Sequence, residues 1–150
     1  MTQAVTQLIY GALGSIGFGI MFHLNRRYLP ATAVGGALGW LVYLIAAHVW
    51  GGSLLPNLLA GCAAAIYAEV LARTYNAPST PFFIISAIPL IPGRGLYYCM
   101  DAVVRSELAL AEQYGRDTFL TALGISGGMA IAWCLVDLRR KLHRLAAQKK

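Results

Sequence analysis

Residues 28–68 read YLPATAVGGALGWLVYLIAAHVWGGSLLPNLLAGCAAAIYA, a run of 41 residues without Asp, Glu, Lys or Arg. As a single α-helix it would be about 60 Å long, roughly twice the hydrocarbon core of a bilayer. The run must therefore turn back on itself, and Gly51, Gly52, Ser53 and Pro56 supply the break. Working outward, no charge precedes Arg26, none falls in the 20 residues 74–93, and none in the 19 residues 118–136. A helix needs about 20 apolar residues to cross a bilayer core. The chain thus reads as an all-α polytopic membrane bundle of about five transmembrane helices, with the fourth broken by proline and glycine.

Composition agrees. Of 150 residues, 58% are apolar and 12% charged, and mean hydropathy is +0.61. A soluble domain carries about 25% charged residues. Disorder is excluded, because it requires low hydrophobicity and high charge. A disulfide scaffold is excluded as well: three cysteines are an odd number, and Cys62, Cys99 and Cys134 all sit in apolar runs. The first segment lacks a basic start and a small-x-small cleavage site, so it is expected to remain as a transmembrane helix rather than leave as a signal peptide. Residues 1–150 read as one transmembrane domain, with 139–150 a basic tail.

The expected spans are 4–24, 30–50, 54–73, a fourth from Pro78 onward, and 118–138. Small residues recur on single faces: Gly11, Ser15 and Gly19; Gly35 and Gly39; Gly61 and Ala65; Gly124, Gly128 and Ala132. Lipid is as apolar as leucine, so such helices associate through close backbone packing. These faces serve packing within the chain or docking of a second subunit.

The fourth segment carries the break: Pro89-Leu90-Ile91-Pro92-Gly93-Arg94-Gly95. Two prolines three apart followed by two glycines cannot continue a regular helix. The piece before them is only about 12–15 Å long, which places the break near mid-bilayer. Non-helical backbone at that depth must be buried in protein or line a wet cavity. Beyond it, Arg94, Tyr98, Asp101, Arg105, Glu112 and Arg116 fall on one stripe of a helix expected to run on for about 30 Å. That stripe is either a cavity wall or, beyond Arg105, an exposed amphipathic face.

Five spans with the amino end outside put Arg26, Arg27, Arg73, Arg139, Arg140, Lys141, Arg144, Lys149 and Lys150 in the cytoplasm. Only Arg105 and Arg116 lie outside. The positive-inside rule selects this orientation, in a bacterial-type inner membrane with a cytoplasmic tail. Topology accounts for the net charge of +6, so no nucleic-acid partner is needed. No metal-ligand spacing, nucleotide loop or catalytic triad occurs. No cofactor is expected, nor enzyme activity.

The stretch Ile88-Pro89-Leu90-Ile91-Pro92-Gly93, followed by Tyr97 and Met100, resembles the signature of the threonine/serine exporter family. Ala68-Glu69, Ala72-Arg73 and Ala77-Pro78 fit the same pattern, as do Gly17-Phe18 through Phe22 to Arg27 and Leu38-Gly39-Trp40. The resemblance implies export of threonine and serine, or of small dicarboxylates such as succinate. For a chain of this size it also implies a partner, a larger membrane subunit of the same family. Two halves of opposite orientation would form an inverted repeat with the site at their interface. The alternatives are a non-transporting subunit that stabilises or regulates a partner, and a homo-oligomeric channel. A broken helix favours transport, since a scaffold does not need one.

The expected substrate-binding residues are Pro89, Pro92, Gly93, Arg94, Gly95, Tyr97 and Tyr98. Free amides at the start of the second half-helix and the Arg94 guanidinium together suit a carboxylate. Alternatively, Arg94 pairs with Glu69 or Asp101 and holds the fold. In the family motif its position is variable, whereas the prolines, Gly93 and Tyr97 match. Glu69 and Asp101 are candidate proton-coupling carboxylates; Glu69 instead forms a local pair with Arg73, four residues on. His23 and His48 read as interfacial side chains, and Asp137 as a local partner of the basic run 139–141.

Overall fold

A computed structural model describes the backbone of residues 2–148 and the side chains of 3–141. Lys149 and Lys150 of the basic tail lie outside the described residues. Six helices follow one another: α1 (Thr2–Met21), α2 (Leu29–Trp50), α3 (Leu54–Tyr75), α4 (Ser79–Ala87), α5 (Gly93–Val104) and α6 (Leu108–Gln148). By length and composition α1, α2, α3 and α6 can each cross a bilayer. So can α4 and α5 together, as a pair bent by 49°. The all-α polytopic bundle with a broken fourth span is therefore what the chain forms.

The central helix is α3, which touches α2, α4 and α6. Its buried side are mostly small residues: Ala60, Gly61, Ala64, Ala65, Ala68 and Ala72. Small side chains let its neighbours approach until backbones nearly meet. The approach is closest against α6. A Cβ on Gly124 would lie 2.5 Å from the Leu54 carbonyl oxygen, and one on Gly128 would collide with that of Leu58. Phe82 and Ile85 of α4 are almost fully buried; Phe82 packs on Tyr28 and on Tyr75 of α3, and Ile85 lies toward Ser15 and Gly19 of α1. Outward, α1 exposes Val5, Ile9, Leu13 and Ile20, the apolar belt expected of a lipid-facing helix.

Three turns close by the same backbone device. After α1, α3 and α5 the chain takes one left-handed residue, His23 (φ 55°), Asn76 (φ 50°) or Ser106 (φ 60°). The next amide then reaches back five residues: Leu24 to Gly19, Ala77 to Ala72, Glu107 to Ala102. This is the Schellman closure, which satisfies carbonyls left over at a helix end. The α2–α3 turn instead uses Gly51 (φ 63°) and Gly52 (φ 68°).

Ser106 overturns one expectation. The helix after the break does not run on to Arg116; it stops at Val104, and α6 already begins at Leu108, ten residues before the expected 118. The polar stripe is cut accordingly: Arg94, Tyr98, Asp101 and Arg105 end on α5, while Glu112 and Arg116 belong to α6. At 41 residues α6 is about 60 Å long, so it overshoots a bilayer core.

The glycine seam gives the first prediction. Gly128→Ala forces a methyl group into the Leu58 carbonyl, and overpacking of this kind costs about 1–3 kcal/mol. The variant should lose thermal stability in detergent, whereas Gly17→Ala, with nothing within 4 Å of its Cβ, should not. Equal melting temperatures for the two variants would mean the seam is not tight.

Candidate functional site

The break is built by its prolines. α4 ends at Ala87, a 3-10 turn covers Ile88–Leu90, Ile91 is extended, and Pro92 precedes α5. The Gly93 amide donates to the Ile91 carbonyl (2.8 Å) and the Leu96 amide to the Pro92 carbonyl (3.1 Å). Pro92 offers no side-chain cap, so the first turn of α5 presents amides without a capping side chain. Pro89 packs at Gly11 and Leu90 at Gly39. Both glycines lie halfway along their helices, α1 and α2. The break therefore sits at mid-depth in the bundle.

A cavity of about 240 Å³ opens at the break. Pro89, Pro92, Arg94 and Gly95 form one wall, Trp40 and Tyr43 of α2 another, and Asn57 of α3 with Asp117, Thr118 and Thr121 of α6 close the far side. Asn57 Nδ2 donates to the Ser53 carbonyl (2.6 Å) and approaches Thr121 Oγ1 (3.5 Å). The Ser53 hydroxyl donates to Asp117 Oδ1 (3.4 Å). The Thr118 hydroxyl is buried with no hydrogen-bond partner. It lies so close to α5 that a Cβ on Gly95 would stand 2.5 Å from it. Gly95 is thus the residue that lets α5 meet α6 here. Asp117 also borders a second, outer hollow of about 500 Å³ with Ser53, Glu112 and Arg116.

Arg94 does not pair with Glu69 or Asp101. Its guanidinium lies over the Tyr98 ring, 5.3 Å from the centroid, a cation–π contact. Asp101 is held by Arg105 (3.0 Å), one turn on along the same helix. Glu69 is almost buried and bonds both Arg73 Nε (3.2 Å) and Arg140. It therefore clamps α3 to α6 at the end of the bundle away from the cavity.

Of the expected site residues, the cavity gathers Pro89, Pro92, Arg94 and Gly95. Gly93 opens α5 but lies off the cavity wall. Tyr97 is 67% exposed. Tyr98 meets Tyr97 edge-on and Tyr114 at a tilt, and of the three only Tyr114 lines the cavity. Sequence reading missed Trp40, Tyr43, Asn57, Asp117, Thr118 and Thr121. One signal was available, Asn57 as a polar residue inside the long charge-free run. The pairs Glu69–Arg73 and Asp137–Lys141 (2.9 Å) are as expected; Arg140 as a third member was not foreseen. Among the described residues no group of three metal-ligating side chains occurs.

The ionic clamp is testable. Arg140 and Arg73 are each about half exposed, so either can rehydrate when Glu69 is lost. Glu69→Ala should then cost about 1.5–3 kcal/mol, the worth of hydrogen bonds to a charged group. The expected result is a lower melting temperature with unchanged ligand affinity in the surviving folded protein. Altered affinity at unchanged stability would instead assign Glu69 to the site.

The sequence family described as Threonine/Serine exporter, ThrE, matches residues 7–137, which takes in the break and every cavity-lining residue. An uncharacterised protein of Haemophilus influenzae is 24% identical over 105 residues. The match covers 70% of this chain and 35% of that protein, so the chain spans about a third of the relative's length. No solved structure matches the chain.

Proposed function

The chain belongs to the threonine/serine exporter family, and from that premise we propose that it is the small membrane half of an exporter for carboxylate-bearing metabolites. The observation that carries the reading is the cavity at mid-depth, which an uncapped helix start and Arg94 line together. Partial positive charge on the amides and the planar guanidinium fork together suit a carboxylate. Threonine, serine and small dicarboxylates all offer that group. The second half is a larger homologous membrane subunit, in keeping with the relative's greater length. The chain lies in a bacterial inner membrane with the α2–α3 turn outside and the α6 tail in the cytoplasm, because the basic residues cluster at that end. Entering from the opposite side to its partner, it completes an inverted repeat around the site.

Efflux of threonine and succinate from proteoliposomes holding this chain and its larger partner tests the reading. Arg94→Gln removes the charge and should cost about 1.5–3 kcal/mol, a tenfold to hundredfold loss of carboxylate affinity. Arg94→Lys, which keeps charge but loses the fork, should lose less. Normal affinity in both variants would remove the carboxylate from this cavity.

Orientation is checked separately. In a background with Cys62, Cys99 and Cys134 replaced by serine, a cysteine at Gly52 should react with a membrane-impermeant thiol reagent in intact cells. A cysteine at Ala77 should not. The reverse pattern would invert the topology.

A further inference from the structure

The cavity at the break holds two charged side chains of opposite sign, Arg94 and Asp117, in a wall otherwise made of neutral residues. They do not neutralise each other. Among the described residues Arg94 forms no ion pair; it lies on the Tyr98 ring. Asp117 is held from the other side by the Ser53 hydroxyl. Both residues are exposed, and unlike charges across a shared hollow attract. Kept more than ion-pair distance apart, they leave room for a molecule that answers both.

We propose that Asp117 takes the ammonium group of a zwitterionic amino acid whose carboxylate lies at Arg94, so that this residue sets the substrate class. The inference rests on the carboxylate reading above and narrows it. A dicarboxylate placed with one end at Arg94 would bring its second carboxylate toward Asp117, and like charges repel. An α-amino acid carries its two charges on groups bonded to one carbon, and a 240 Å³ cavity suits a short side chain. The Thr118 hydroxyl is closed off against Gly95, so the two charged side chains carry the recognition. The hollow is thus matched to an amino acid by two groups of opposite charge.

Equilibrium binding to the detergent-purified complex of this chain with its larger partner, normalised to monodisperse protein, tests this with three probes. Threonine carries both charges, 3-hydroxybutyrate lacks the ammonium, and succinate carries a second carboxylate. The wild-type complex should bind threonine most tightly. Asp117→Asn should weaken threonine about tenfold or more, the loss of one charge-assisted contact. It should leave 3-hydroxybutyrate nearly unchanged and tighten succinate. Asp117→Glu keeps the charge and should retain the preference for threonine. Ser53→Ala, which removes only the hydroxyl held by Asp117, should preserve the order of the three probes.

Arg94→Gln separates the two readings, because it should weaken all three probes. If it does, but Asp117→Asn affects threonine and 3-hydroxybutyrate alike or leaves threonine unchanged, the ammonium assignment is overturned and the carboxylate site stands. If Arg94→Gln leaves all three unchanged, or the wild-type complex binds none, the carboxylate site fails and this inference fails with it.

Discussion

The seam between α3 and α6 is the contact on which the rest of the arrangement depends. Lipid tails give no hydrophobic reward for bringing two helices together, so the seam must be held by close packing and polar contacts. Both helices supply it from one face. On α6, Asp117, Thr121, Gly124, Gly128 and Ala132 recur at spacings of four, three, four and four, a single helical stripe. On α3, Asn57, Gly61, Ala64 and Ala68 do the same. The stripe has three zones. Its middle is glycine and alanine and fixes the distance between backbones. One end is polar and forms the far wall of the cavity. The other end is ionic, where Glu69 binds Arg140.

That continuity explains what the sequence made legible and what it did not. The small-residue rows on both helices are visible from spacing alone, as are the charge-free spans and the proline break. The link from Gly124 back to Thr121 and Asp117 was hidden because the last span was expected to begin at 118. The true start at Leu108 follows a turn centred on Ser106, a single serine that does not mark a left-handed helix end as glycine would. Glycine or asparagine marks most left-handed helix ends; Asn76 obeys the rule, whereas His23 and Ser106 do not. Their conformation is set by carbonyls that need donors at the ends of α1 and α5, a demand of the whole helix rather than of the residue.

The carboxylates divide by environment in a way that spacing could not reveal. Glu69 and Asp101 both face an arginine one turn along, and in sequence they look alike. In the bundle Asp101 remains a local pair on α5, while Glu69 is almost buried and gains a second arginine from a helix 71 residues away. A carboxylate so enclosed is worth most as a clamp, because its ionised form is already matched by two cations. Among the described residues Asp117 forms no ion pair and accepts only from the Ser53 hydroxyl. Sequence motifs ignored this residue, although it is the carboxylate on the cavity wall.

The exposed flank of α5 extends the same logic beyond the chain. Leu96, Tyr97, Met100 and Val104 all point outward, an apolar strip suited to lipid or to another helix. Arg94 is exposed beside them, in the first turn of α5 just past the break. Set against acyl chains at the bilayer centre, an arginine costs about 2.5–3.5 kcal/mol on insertion scales. Its contact with Tyr98 offsets only part of that, since a cation–π pair is worth about 0.5–2 kcal/mol. The remainder vanishes if this flank borders water or a second membrane half. The proline break, the uncapped amides and the exposed guanidinium all share that requirement, because each is unfavourable in hydrocarbon and favourable around an anion. Their meeting in one bundle is what a helix packed only against lipid would not tolerate.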